Sequence, residues 1–220
     1  APQKARRRSS PRRRIVNAVV VAAVVMGSAI GLRWIAIQPP NPDAVWTSIQ
    51  QEDYQLHKWK SAEDRLRKFA EDFPDDPHTA EVPFFLSMCD AGRDIHSETG
   101  DPQKGLAKLE QVFLDYRDKK EYELYCSDLY MDAVRLIERL VTLSQKTADP
   151  RHLDGAQRAF ELLKTVAQAM QEEWVPKRTQ GLQEQIVQAR TALDRTLAQK
   201  EIFRLVAKVK DRATPVDELD

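Results

Sequence analysis

The amino-acid sequence predicts an all-α fold: an N-terminal transmembrane helix, then a stack of α-helical hairpins, then one long C-terminal helix. Three observations carry this. Only seven of the 220 residues are glycine, while Ala, Leu, Glu, Lys, Arg and Gln abound, a composition that favours helix over strand. Beyond residue 43 apolar residues recur at steps of three and four, the period of one helix face. Residues 15–32 carry no formal charge, and apolar character resumes at Trp34–Ile35–Ala36–Ile37. The length allows one or two domains. The expected organisation is a basic tail (1–14), a membrane helix (15–37), a proline-rich linker (38–43), a helical domain (44–173), a long helix (174–212) and a polar tail (213–220).

The membrane element follows from dimensions. Twenty-three helical residues reach ~34 Å, enough for a ~30 Å hydrocarbon layer. Arg14 borders the near interface, while Arg33 and Trp34 anchor the far one. Pro39, Pro40 and Pro42 then stop the helix. The 34 basic and 34 acidic residues cancel, yet Lys4, Arg6, Arg7, Arg8, Arg12, Arg13 and Arg14 all precede the first acid, Asp43. This positive-inside bias places the tail in the cytoplasm and the helical domain outside, as a single-pass protein of a bacterial inner membrane with a periplasmic domain. Gly27 and Gly31 form a GxxxG face suited to homodimerisation. The tail has no interleaved aromatics for base stacking, which argues against nucleic acid. No initiator Met opens the chain, so it reads as an excerpt of a longer protein.

Asp43 is the expected N-cap of the first soluble helix, with Trp46, Ile49, Asp53 or Tyr54, and Leu56 or His57 near one face. A second helix runs from Ser61 to Phe73 on Ala62, Leu66, Phe69 and Ala70, and stops at Pro74. Thr79 or Glu81 opens a third, with Phe85, Met88, Gly92 and Ile95 on one stripe. Pro102 starts a fourth, carrying Leu106, Leu109, Val112, Phe113 and Tyr116. Two more are expected over 121–145 and 152–173, and a last one over 176–212, too irregular in its apolar steps for a strict heptad.

A shift of 43 residues aligns Ala62 with Gly105, Leu66 with Leu109, Phe69 with Val112 and Phe73 with Tyr116, an internal repeat. The segment KWKSAEDRLRKFAEDFPDDP resembles the second half of a tetratricopeptide repeat, with Ala62, Leu66, Phe69 and Pro74 at its small, large, large and proline positions. Trp46 and Ile49 fit its first helix, and Met88, Ala91, Gly92 and Ile95 fit that of a second unit. The resemblance is closest to bacterial envelope members. It implies a concave groove lined by Thr47, Gln51 and Tyr54 from one unit and by Arg93 and His96 from the next, docking a protein partner without a cofactor.

No pattern of catalytic chemistry competes. His57, His78, His96 and His152 are far apart and outside any HExxH arrangement, Cys89 and Cys126 lack a CxxC partner, and no GxSxG, P-loop or GxGxxG occurs. The two cysteines are candidates for a disulfide if their helices adjoin. A non-enzymatic, membrane-anchored scaffold is the expected function. The alternative is a linker or sensor segment of a larger transmembrane enzyme, such as a receptor-type Ser/Thr kinase.

Overall fold

The computed structural model describes residues 41–170 and 172–212, with side chains as far as residue 209. The chain divides into two compact units, 1–44 and 45–220; of the first, only residues 41–44 are described. Among the described residues there are seven α-helices and no strand.

Helix α1 (Pro42–Ser48) runs directly into a π-helical turn, Ile49–Tyr54. Asn41, and not Asp43, supplies the capping oxygen: the Asp43 N–H donates to Asn41 Oδ1 at 3.0 Å. Helix α2 (Trp59–Asp72) follows, then a 3₁₀ turn (Pro77–Ala80), α3 (Val82–His96) and α4 (Pro102–Tyr116). Next come α5 (Lys120–Thr147), α6 (Pro150–Ala169) and α7 (Trp174–Arg212). Three Asp-Pro pairs punctuate this order. The carboxylates of Asp76, Asp101 and Asp149 accept backbone N–H bonds at the starts of the 3₁₀ turn, α4 and α6. The proline after each sits where a helix has no use for an N–H donor. Ala148, left-handed at φ 54°, ends α5.

Each helix packs chiefly on the one before and the one after it, and α5 also meets α3 and α7. One continuous core results, in which Phe69, Phe84, Phe85, Leu109, Tyr130 and Leu136 are fully buried. Close approach is set by small residues. A Cβ on Gly92 of α3 would lie 2.8 Å from Trp59 Cζ2 of α2. The Tyr130 hydroxyl ties α5 to α7 through Thr179 Oγ1 at 3.1 Å. On α7, Leu182, Ile186, Ala189 and Leu193 are buried, whereas Ile202, Phe203, Leu205 and Val209 beyond them are exposed.

Two expectations are corrected here. No described helix is long and apolar enough to cross a membrane; even α7, at 39 residues, carries charge along its whole length. The helix expected over 15–37 lies outside the described residues, together with Arg14, Arg33, Trp34 and the Gly27–Gly31 face. Among the described residues the fold is therefore an all-α bundle with no transmembrane element, and neither the anchored scaffold nor the inner-membrane address is carried forward. The second correction concerns the repeat. Helices α2, α3 and α4 have 14, 15 and 15 residues, but α5, α6 and α7 have 28, 20 and 39, so no common unit recurs. The alignment of α2 with α4 has a simpler cause: both pack on α3, and each buries a small residue followed by two large ones, Ala62, Leu66 and Phe69 in α2, Gly105, Leu109 and Val112 in α4.

Candidate functional site

The π turn shapes the most chemically dense surface of the bundle. Its wide bonds, Gln55 N–H to Gln50 O at 2.9 Å and Lys58 N–H to Asp53 O at 2.8 Å, each span five residues. The extra residue turns both Asp53 and Tyr54 inward, at 5% and 7% exposure, where a regular helix would bury one of them. Asp53 is held by the Arg65 guanidinium of α2. Burial pushes its carboxyl upward, but hydrogen bonds from Ser61 and Arg65 outweigh this and hold it below the usual carboxylate range.

The chain leaves the turn through His57 at φ 58°, left-handed without being glycine, a conformation non-glycine residues adopt at a cost and one that recurs at functional sites. There the imidazole stacks on Trp59, with centroids 5.0 Å apart and planes at 22°, and stands 4.1 Å from the His96 ring. The His96 Nε2–H donates to Asp132 Oδ1 of α5 at 2.7 Å.

Around these groups runs a groove made of three hollows with shared walls. The first is lined by Tyr54, His57, Asp128 and Met131. The second, about 500 Å³, shares His57, Trp59, Met131 and Asp132 with it and adds His96 and Arg135. The third, also about 500 Å³, shares His96, Ser97 and Arg135 with the second and continues past Arg139 to Lys146. One face of α5 thus supplies the floor, from Asp128 and Asp132 at one end to Arg135, Arg139 and Lys146 at the other; two acids also line that second end, Glu98 and Glu138, of which Glu138 is held by Arg178. Met131, 53% exposed, is the apolar step between.

Electrostatics sharpen the acidic end. Burial, and then the charge of Asp132 one turn away, raise the Asp128 carboxyl from 3.8 to about 6. Burial, and then Asp132 and Asp128, hold the Tyr54 phenol neutral well above its ordinary value. His57 is pushed down, first by burial and then by His96, so it is neutral at pH 7. Asp128 binds its proton more tightly folded than unfolded, so its contribution to stability falls as pH rises from about 4 to about 6 and the cost is fully present above that. Replacing Asp128 by Asn is expected to stabilise the chain by about 1 kcal/mol near pH 7.5. Melting curves near pH 7.5 and near pH 4 check this: the gain should vanish at the lower value.

No family model, curated protein or solved structure matches the chain. The resemblance to tetratricopeptide envelope proteins is accordingly withdrawn, and the groove rests on its own geometry.

Of the residues that the resemblance implied, Tyr54 and His96 lie on this groove. Arg93 lies in a hollow behind Trp59 and is engaged with Asp90 at 2.6 Å and Glu63 at 3.3 Å. Thr47 and Gln51 are exposed and line none of these hollows. Sequence reasoning missed Trp59, Asp128, Met131, Asp132 and Arg135 as site residues. The signal was there: Asp128, Asp132, Arg135 and Arg139 follow one another at steps of four, three and four, a polar stripe with helical period. Cys89 and Cys126 are both free thiols, so the conditional pairing of the two is not made. Among the described residues no group of three or more His, Cys, Asp or Glu is placed to hold a metal ion.

Proposed function

We propose that this chain is a non-enzymatic protein-binding module whose groove holds an extended peptide segment of a partner. The observation that carries this reading is the run of adjoining hollows from Tyr54 to Lys146, with an aromatic wall, one exposed methionine, carboxylates at one end and an excess of cations over acids at the other. Grooves of this kind bind extended segments by burying an apolar anchor and fixing direction with charge. An apolar side chain would rest on Met131, His57 and Trp59, with a Lys or Arg toward Asp128 and Asp132 and an Asp or Glu toward Arg135 and Lys146.

Recognition is favoured over nucleophilic chemistry by the state of the candidate groups. His96 already directs its N–H at Asp132, and its ring is packed between a second imidazole and the Trp59 indole. Burial pushes the Cys89 thiol up to about 12, far from a reactive thiolate.

Selection of random peptides of about 12 residues on the full chain, long enough when extended to cover the roughly 27 Å of α5 from Asp128 to Lys146, should enrich sequences with an apolar residue between a cation and an acid. Met131→Glu and Arg135→Glu should each weaken the selected peptide by at least about tenfold. Binding of its cationic end should also weaken as pH falls through about 6 and Asp128 takes up its proton. Peptides without such a pattern, or binding indifferent to both substitutions, would reject the proposal.

A further inference from the structure

A second feature lies on α7, among residues that do not line the groove, and plays no part in peptide binding. Helix α7 buries Leu182, Ile186, Ala189 and Leu193 against the bundle. At about 100° per residue these four fall on one side of the helix. Ala198, Ile202, Leu205 and Val209 fall together on the opposite side, and all four are exposed. Ile202, Leu205 and Val209 are 60%, 52% and 67% accessible, and Val206 beside them is 48% accessible. A stripe turned away from its own bundle cannot be covered by the helices already packed there, and an apolar face of this continuity marks an interaction surface.

Its spacing of four, three and four is that of a coiled-coil seam, with Ile202 and Val209 in one core position and Ala198 and Leu205 in the other. The flanking charges select the partner. Glu201 and Lys208 occupy the same edge of the seam, one heptad apart, and both are exposed. In a parallel pair of identical helices Glu201 would face Val206 and Asp194 would face Gln199, with no opposite charges meeting. In an antiparallel pair the layers Ala198–Val209 and Ile202–Leu205 close upon a two-fold axis between residues 203 and 204. That register brings Glu201 of one copy to Lys208 of the other, twice. Small Ala198 then meets larger Val209, and the two inner layers are Ile against Leu. Within its own helix Glu201 is met by the exposed Arg204, 3.5 Å away, a contact weak enough to be exchanged.

We propose that the outer half of α7 is a homodimerisation element, pairing antiparallel with the same segment of a second copy. The pairing is isologous and therefore closes at two chains. Four apolar layers are few, and a reversible dimer with a Kd on the order of 10 µM is expected.

Sedimentation equilibrium of the full chain from about 2 to about 200 µM tests this, bracketing the expected constant. The wild type should show a monomer–dimer equilibrium. Ile202→Asp, on an exposed position that leaves the core intact, should weaken it more than about tenfold. Glu201→Lys alone and Lys208→Glu alone each turn two attractions into two repulsions and should weaken it about tenfold. The combined variant E201K/K208E should return to within about threefold of wild type, a rescue that only the antiparallel register provides. A wild type monomeric at the highest concentration, association unchanged by Ile202→Asp, or no recovery in the combined variant would each overturn the assignment.

Discussion

Replacing Arg139 by alanine is expected to cost about 3 kcal/mol and to lower the thermal midpoint by roughly 6–12 °C. The guanidinium reaches from α5 across the end of α3 and donates to four carbonyl oxygens. One terminal nitrogen serves Asp94 O at 2.5 Å and Ile95 O at 3.0 Å; the other serves Glu98 O at 3.3 Å and Gly100 O at 2.5 Å. These are the last carbonyls of a helix, which have no partner inside it, and those of the turn that follows. A positive charge is also favoured at that end of the helix dipole. Water replaces part of what is lost, because the site is half-buried, and so the cost stays well below the sum of four charged bonds. Arg139→Lys keeps the charge but not the fork, and should recover less than half of the loss. Calorimetry gives the midpoint, and amide exchange across residues 97–100 should accelerate in the alanine variant, because the turn carrying Ser97 and Glu98 at the groove wall has lost its anchor.

Gly92→Val is the second substitution with a large expected effect, about 3 kcal/mol of destabilisation. An added Cβ meets Trp59 Cζ2 at 2.8 Å and Cε2 at 2.9 Å, and the indole cannot yield easily. Tyr54 packs edge-on to it at 5.6 Å, His57 stacks on it at 5.0 Å and His96 tilts against it at 5.2 Å. Gly92→Ala should cost less, about 1–2 kcal/mol, since part of the strain is offset by the better helix propensity of alanine. Both changes press on the wall of the groove, so peptide binding should fall along with stability. A smaller residue at position 59 opens the space again: Trp59→Leu combined with Gly92→Ala should be less destabilised than the two single effects added together. Denaturant titrations of the four chains of that cycle measure the coupling, and strict additivity would show that the two residues do not press on each other.

Much of the helical framework is legible in the residue pattern. The stop at Pro74 follows from proline's missing donor and the start at Pro102 from the same property, and the expected helices over 121–145 and 176–212 are seen as Lys120–Thr147 and Trp174–Arg212. Gly92 is readable as a contact point because only the absence of a side chain lets two helix axes approach so closely. The π turn is not readable. Trp46 and Ile49 obey the ordinary period, and the choice between Asp53 and Tyr54 as the inward residue has no local answer. The structure takes both because Arg65, twelve residues on, neutralises the acid, and that is a tertiary fact. The same holds for the groove. Asp128, Asp132, Arg135 and Arg139 read as an ordinary solvated stripe until the ends of α3 and the π turn are placed opposite them. Repetition in the sequence misled for a physical reason: α2 and α4 answer to a shared neighbour, and two helices packed on the same third helix acquire similar patterns without a repeated unit.

The packing order of the bundle also bears on how it is made. Every helix from α2 onward finds most of its contacts in the helix just before or just after it, so each pairing closes only a short loop and gives up little chain entropy. Such a topology has a low contact order, which goes with rapid folding. Several neighbouring pairs can form at once, and a nascent chain can bury each apolar face soon after its successor leaves the ribosome.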